Sequence, residues 1–147
     1  MVKIMQASGK DLPKLVPLFD QYRIFYKQES DLEAADRFLK DRFQNQECMV
    51  FLAELDQLMV GFTLLYKSFS SVGMRPFFVL NDLYVSPDYR QKGIGRMLLE
   101  HAQDFCRSLG YKGLALETAT DNPAQKLYEK LGWQKDSHCF HYFWHSD

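Results

Sequence analysis

Apolar positions repeat at three and four residues in four stretches of the chain and gather into β-rich runs between them. Asp11, with Pro13 in the first turn, opens a helix that carries Leu12, Leu15, Val16, Phe19, Tyr22 and Tyr26 and ends near Lys27. Leu32, Ala35, Phe38, Leu39 and Arg42 lie on or near one face of a second helix over residues 31–44, joined to the first by Gln28-Glu29-Ser30. Ile94, Leu98, Ala102, Phe105 and Leu109 make the stripe of a third over residues 93–109, stopped by Gly110. A shorter helix opens at Asn122 with Pro123 in its first turn, carries Ala124, Leu127, Tyr128 and Leu131, and ends at Gly132.

Residues 2–7, 48–55, 58–67, 76–85 and 112–118 read as strands, with Asp56-Gln57 as a tight turn and residues 68–75 as a mobile polar loop around Gly73. Residues 133–136 and 139–144 can supply a closing hairpin. Strand, helix and strand across residues 76–118 make a parallel crossover. The expected fold is a single mixed α/β domain over residues 1–147, with a largely antiparallel central sheet, one parallel pair and about four flanking helices.

Length and composition narrow the function without naming it. The 147 residues suit one domain with a substantial core, and 46% apolar residues, 25% charged residues and a formal net charge of −1 leave no electrostatic footprint for nucleic acid. No apolar run approaches the ~20 residues of a membrane span. Cys48, Cys106 and Cys139 are odd in number and widely spaced, which fits reduced thiols and a cytoplasmic location. His138 and His141 would point to opposite faces of a strand, so no metal site is expected, and His101 reads as a helix-surface or packing residue. The face carrying Phe140, Tyr142 and Trp144 is open to use as a homodimer contact or as a wall of an acceptor site.

The candidate chemistry lies where the strand ending at Val85 gives way to the third helix. Arg90-Gln91-Lys92-Gly93-Ile94-Gly95-Arg96 places two glycines beside backbone N–H groups that have no intrahelical partner. Without a Cβ at Gly93 and Gly95, phosphate oxygens can approach the main chain, and the helix dipole with Arg90, Lys92 and Arg96 adds positive potential. A dinucleotide fingerprint would want a third glycine where Leu98 stands, and a P-loop would want Lys-Ser/Thr where Arg96-Met97 stands.

Arg90-x-x-Gly93-x-Gly95, with Asn122 and Tyr128 one crossover later, resembles the acyl-CoA-dependent N-acetyltransferases of the GNAT superfamily. Leu80-Asn81-Asp82-Leu83-Tyr84-Val85, Pro87 and Tyr89-Arg90 look like the branch containing polyamine acetyltransferases and the yeast histone/polyamine and D-amino-acid acetyltransferases. The resemblance implies that acetyl-CoA is the co-substrate. Its pyrophosphate would sit on the N–H groups of Gln91, Lys92, Gly93, Ile94, Gly95 and Arg96 beside Arg90, and its pantetheine along Leu83, Tyr84 and Val85, with Asn122 and Tyr128 also in contact.

Acetyl transfer to an amine needs a held donor, a neutral amine, a stabilised oxyanion and a proton for the departing thiolate. Tyr128 is the candidate general acid, because a phenol with a pKa of about 10 is protonated at neutral pH. A core tyrosine is the alternative reading. Asp82 and Glu117 are the candidate proton acceptors for the amine, or alternatively partners of an Arg or Lys; at the position of Asn81 the polyamine enzymes commonly carry Glu. Tyr22, Tyr26, Asn81 and Asp82 are expected to bind the acceptor, with Phe25, Phe38 and Arg42 on the two helices that roof it, or in its core. The preferred acceptor is a small primary amine such as a polyamine or an amino acid. A peptide or protein amine is the runner-up, and a non-catalytic acyl-CoA sensor would need the loop but not the acid.

Overall fold

The computed structural model describes residues 1–147, which divide into two compact units, Met1–Glu117 and Thr118–Asp147. In the first, β1 (Val2–Gln6), β2 (Cys48–Leu55), β3 (Leu58–Ser70), β4 (Arg75–Val85) and β5 (Leu114–Ala115) form one sheet in chain order. The first four strands are antiparallel and β5 joins β4 in parallel, so the mixed sheet with one parallel pair is as expected.

Caps and breakers set the helix limits. Asp31 caps α2 (Leu32–Gln44) by accepting from the Ala34 N–H at 3.0 Å. In α1 (Leu12–Phe25), Asp20 is buried and accepts from the Ser30 hydroxyl at 2.7 Å and the Asp31 N–H at 2.8 Å. This staple fixes the link between the two helices, and its hydrogen bonds, that from Ser30 foremost, hold the Asp20 carboxyl below the usual range. Helix α3 (Ile94–Ser108) ends before Gly110, whose φ of +67° is the left-handed geometry of a helix stop.

The sheet has a different partner on each face. Val50, Leu52, Phe62, Leu64 and Tyr84 pack with Leu15, Phe19, Ala35 and Leu39 of α1 and α2. On the other face, Phe51 and Phe78 meet Phe105 of α3 at 5.2 and 5.8 Å between ring centroids. Helix α3 buries Ile94, Leu98 and Ala102 as expected, together with Leu99 and Cys106, whereas Leu109 is exposed.

Strand β4 changes faces partway along. Leu64 pairs with Asp82 but Leu65 with Leu80, so Asn81 is the extra residue of a β-bulge. Phe78 therefore faces α3, while Tyr84 faces α1; a one-residue slip is what exchanges the faces of a strand. The parallel ladder stops just before the bulge. Only Phe78 pairs with Leu114 and Val79 with Ala115, extended by the Lys112 N–H on the Pro76 carbonyl at 2.8 Å, so the expected strand over residues 112–118 is reduced to β5 and residues 80–85 of β4 form no ladder with it.

Two other expectations are corrected. Residues 68–75 are not a mobile loop: Ser68, Phe69 and Ser70 pair with Phe77, Pro76 and Arg75, because the extended pairing of β3 and β4 continues to a turn tied by the Gly73 N–H on Ser70 Oγ at 3.0 Å. The hairpin over residues 133–144 is absent. Asp136 bonds His138 Nδ1 at 3.0 Å and the Cys139 thiol instead, local contacts that compete with a ladder. Phe140, Tyr142 and Trp144 are exposed. The second unit contains one helix, α4 (Gln125–Lys130), after a turn in which Asn122 Oδ1 accepts from the Ala124 N–H at 3.0 Å, so Asn122 stands ahead of the helix rather than as its cap.

Gly61 lets β3 approach the end of β4, since a Cβ there would stand 2.9 Å from the Tyr84 carbonyl oxygen. Gly61→Ala is expected to lower the unfolding free energy by about 1–3 kcal/mol in urea titrations. No change would show that this end of β4 yields at no cost.

Candidate active site

The bulge turns the Asp82 carboxylate under α1, where only 6% of the residue stays exposed. Its side chain accepts from Asn81 Nδ2 at 3.2 Å and from the Tyr22 hydroxyl, and its backbone carbonyl accepts from the Thr63 hydroxyl at 2.8 Å. No lysine or arginine forms an ion pair with it, so the alternative that Asp82 pairs with a surface cation is excluded. Burial pushes its carboxyl above the usual carboxylate range, and the hydrogen bonds from Tyr22 and Asn81 counter only part of that.

Aromatic rings pack around Tyr22, the phenol that holds this carboxylate. The Tyr22 ring lies 5.7 Å from Phe62, 6.0 Å from Tyr84 and 5.0 Å from Tyr26, each near edge-on. Burial, then the Asp82 charge, push the Tyr22 hydroxyl up and the Tyr66 hydroxyl to about 12, so both remain donors at neutral pH. The Cys48 thiol, raised to about 11 by burial, stays protonated and unreactive. A buried carboxylate bonded to the Tyr22 phenol and without an ion-pair partner is chemically suited to an ammonium group.

The expected residues divide accordingly. Tyr22 and Asp82 share one hydrogen bond, Asn81 is the exposed bulge residue that steadies Asp82, and Tyr26 is an outer ring on Tyr22. Glu117 is exposed, two residues beyond β5. Sequence reasoning missed Thr63 and Asp20. Thr63 is a fully buried hydroxyl amid apolar β3 residues, a pattern that by itself calls for a buried acceptor.

At the loop, Gly93 has a φ of +80° and a Cβ added at Gly93 or Gly95 would meet nothing within 4 Å. The first intrahelical bond runs from the Met97 N–H to the Gly93 carbonyl at 3.0 Å, and no side chain caps the helix. Ile94, Gly95 and Arg96 thus offer backbone donors over open space, which fits a phosphate group. Gln91, with φ of +62°, holds the turn that leads into it.

The three basic residues are placed differently. Arg90 Nε donates to the Val85 carbonyl at 2.8 Å, with its guanidinium 5.2 Å from the Phe25 ring centre and 5.4 Å from that of Tyr84. Arg96 bonds Glu100 at 2.6 Å, and Lys92 lies over Tyr89 at 5.5 Å. Leu83, Tyr84 and Val85 occupy the part of β4 beyond its ladder with β5. In the second unit, Asn122 donates to Thr118 Oγ1 at 2.8 Å, and the Tyr128 ring in α4 lies 6.0 Å from that of Trp133.

The family model of the Acetyltransferase (GNAT) family matches residues 14–133. A Bacillus subtilis protein, the uncharacterized N-acetyltransferase YhfO, is 44% identical over 142 residues, covering 96% of this chain and 95% of its own. The crystal structure of a probable acetyltransferase superposes with a TM-score of 0.92 at 34% identity, covering 99% of this chain and 98% of the other. An aminoglycoside N-acetyltransferase crystallised in complex with CoA shares the fold, with a TM-score of 0.79 at 21% identity over 97% of this chain and 94% of that one.

Folding raises the Asp82 pKa, so the unfolded chain releases this proton first as pH rises, and the native state loses stability between pH ~3.9 and the folded pKa. Asp82→Asn keeps an oxygen acceptor for Tyr22 and is expected to melt at a higher temperature than the native protein at neutral pH, the gap closing below about pH 4. Equal melting temperatures at neutral pH would contradict a desolvated carboxylate.

Proposed function

The chain belongs to the Acetyltransferase (GNAT) family and is an acyltransferase, and from that premise we propose that it moves the acetyl group of acetyl-CoA to a small primary amine, such as a polyamine or an amino acid, in a ternary complex. The observation that carries this reading is the buried, cation-free Asp82 carboxylate bonded to the Tyr22 phenol, together on one unit with an open phosphate cradle. When bound, acetyl-CoA supplies the activated acetyl thioester. The N–H groups of Ile94, Gly95 and Arg96 would hold its pyrophosphate, and the backbone of Leu83, Tyr84 and Val85 its pantetheine arm.

The residues divide the work by their chemistry. An aliphatic amine with a pKa near 10 arrives as ammonium, which the Asp82 carboxylate and the Tyr22 ring beside it attract. With its pKa raised by burial, Asp82 is a better proton acceptor than a solvated aspartate, and it takes the proton that blocks the nitrogen lone pair. Tyr22 keeps that carboxylate in place. By the family resemblance, Tyr128 returns a proton to the departing thiolate.

Thiol release from acetyl-CoA across polyamines, L- and D-amino acids, aminoglycosides and basic peptides tests the reading directly: amine-dependent release is expected, and tight binding without release on any amine would favour a sensor. Gly95→Leu is expected to weaken acetyl-CoA binding on the order of tenfold or more in calorimetry with no loss of thermal stability, because the added side chain fills the cradle and nothing else. Unchanged affinity would remove the loop from the binding site.

Two variants separate the proton roles. Tyr128→Phe is expected to lower kcat by about a hundredfold with little change in acetyl-CoA affinity. The acidic limb of the kcat/KM profile, where activity rises with pH as Asp82 ionises, should lie above the ordinary aspartate pKa of about 3.9 and disappear in Asp82→Asn. A limb that persists unchanged in that variant would transfer the role of base to another group.

A further inference from the structure

The buried stretch of β3 carries one polar side chain, Thr63, and it lies on the face of the sheet away from the Asp82 carboxylate. Phe62 meets Phe19 of α1 at 6.2 Å between ring centroids, so the even positions of β3 face α1. A Cβ added at Gly61 would stand 3.5 Å from Leu98 Cδ1, so Gly61 and, two residues on, Thr63 face α3. Fully buried there, the Thr63 hydroxyl has no route to a molecule bound under α1. It donates instead at 2.8 Å to the backbone carbonyl of Asp82, the residue that follows the bulge.

The place of the inserted residue decides where Asp82 points. Without Asn81 as the insertion, Asp82 would share the face of Leu80 and Phe78, which meets Phe105 of α3; with it, Asp82 shares the face of Tyr84 under α1. A directional donor aimed at the Asp82 carbonyl holds the insertion at that one position. The titratable groups around the carboxylate are Tyr22 of α1, Tyr66 of β3 and Cys48 of β2, all held protonated at neutral pH by burial. The Arg42–Glu47 pair acts on Tyr66 and Cys48. Tyr22 and Asn81 are the side chains that bond the carboxylate itself.

We propose that Thr63 is a positioning residue for acetyl transfer: acting through the main chain from the far face of the sheet, its hydroxyl fixes the bulge at Asn81 and so keeps the Asp82 carboxylate under α1, bonded to Tyr22. This rests on the reading of Asp82 as the proton acceptor and adds the group that aims it. Valine fills the space of Thr63 but leaves the Asp82 carbonyl short of a buried donor. The carbonyl then turns toward another donor, and the carboxylate is carried out of its burial with it. A better hydrated carboxylate has a lower pKa, is a weaker base and stands farther from the ammonium it must deprotonate.

The test follows the Asp82 carboxyl directly, by NMR titration of the full chain labelled with carbon-13 at the aspartate carboxyls, in the native protein, Thr63→Val and Thr63→Ser, with the Asp82 signal assigned from its loss in Asp82→Asn. In Thr63→Val the Asp82 carboxyl is expected to titrate closer to the ordinary aspartate pKa of about 3.9, and the acidic limb of the kcat/KM profile for the best amine of the panel above to move the same way. At neutral pH kcat/KM should fall about tenfold with acetyl-CoA affinity unchanged. Thr63→Ser, which keeps the donor, should restore both the titration and the rate. A Thr63→Val carboxyl that titrates as in the native protein or higher would overturn the proposal even if the melting temperature falls, since that is the mark of a merely structural hydroxyl; so would a Thr63→Ser protein as impaired as Thr63→Val. Should Thr63→Val not fold, Thr63→Ala is read in the same way. An acidic limb that persists in Asp82→Asn would remove Asp82 as the base and with it the part of Thr63 in the transfer, whereas the carboxyl titration separately decides whether Thr63 holds the carboxylate.

Discussion

A single inserted residue in β4 holds the architecture of the first unit together. Asn81 has no partner on β3, and because strand side chains alternate, its insertion gives one strand two loyalties. Before it, Phe78 closes the core under α3; after it, Asp82 and Tyr84 lie under α1. The ladder of β4 with β5 stops at Val79, so residues 80–85 have no ladder on that side. The sunken carboxylate follows from the inserted residue, and the open strand edge begins beside it.

The carboxylate depends on its neighbours for being tolerable at all. A buried ion without a counter-ion is costly, and three hydroxyl or amide groups, from Tyr22, Asn81 and Thr63, hold the Asp82 residue without neutralising it. Such an arrangement is worse for the fold than a buried leucine would be. It is understandable as the storage of a negative potential that a positively charged molecule can relieve.

Much of this was legible from the residues alone. A helical stripe opening at Asp31, Gly110 as a stop and the apolar run Cys48–Leu55 place α2, the end of α3 and β2 where the periodicity predicts them. Gly93 and Gly95 marked the loop because glycine in that setting has few other uses. The bulge was hidden, since Asn81 carries no backbone signature that distinguishes it from an ordinary strand residue. The reach of β3 to Ser70 was hidden because its last residues are polar and exposed in part. The aromatic run at residues 140–144 misled in the opposite direction: its composition favours a strand, but a ladder needs a partner, and composition says nothing about where one is. The roles of Asp20 and Thr63 needed three dimensions, as each acts through a residue distant in sequence.

The staple at Asp20 bears on how tightly any acceptor could be held. Two residues after it comes Tyr22, whose hydroxyl meets Asp82, and the link that Asp20 clamps is the hinge about which α1 and α2 would otherwise swing. The helical cover is therefore ordered when the chain folds, and a molecule entering beneath it finds the phenol and the carboxylate already aimed. The entropy of assembling that arrangement is taken out of the binding step, so even an acceptor of few atoms has most of its interaction energy left to show as affinity.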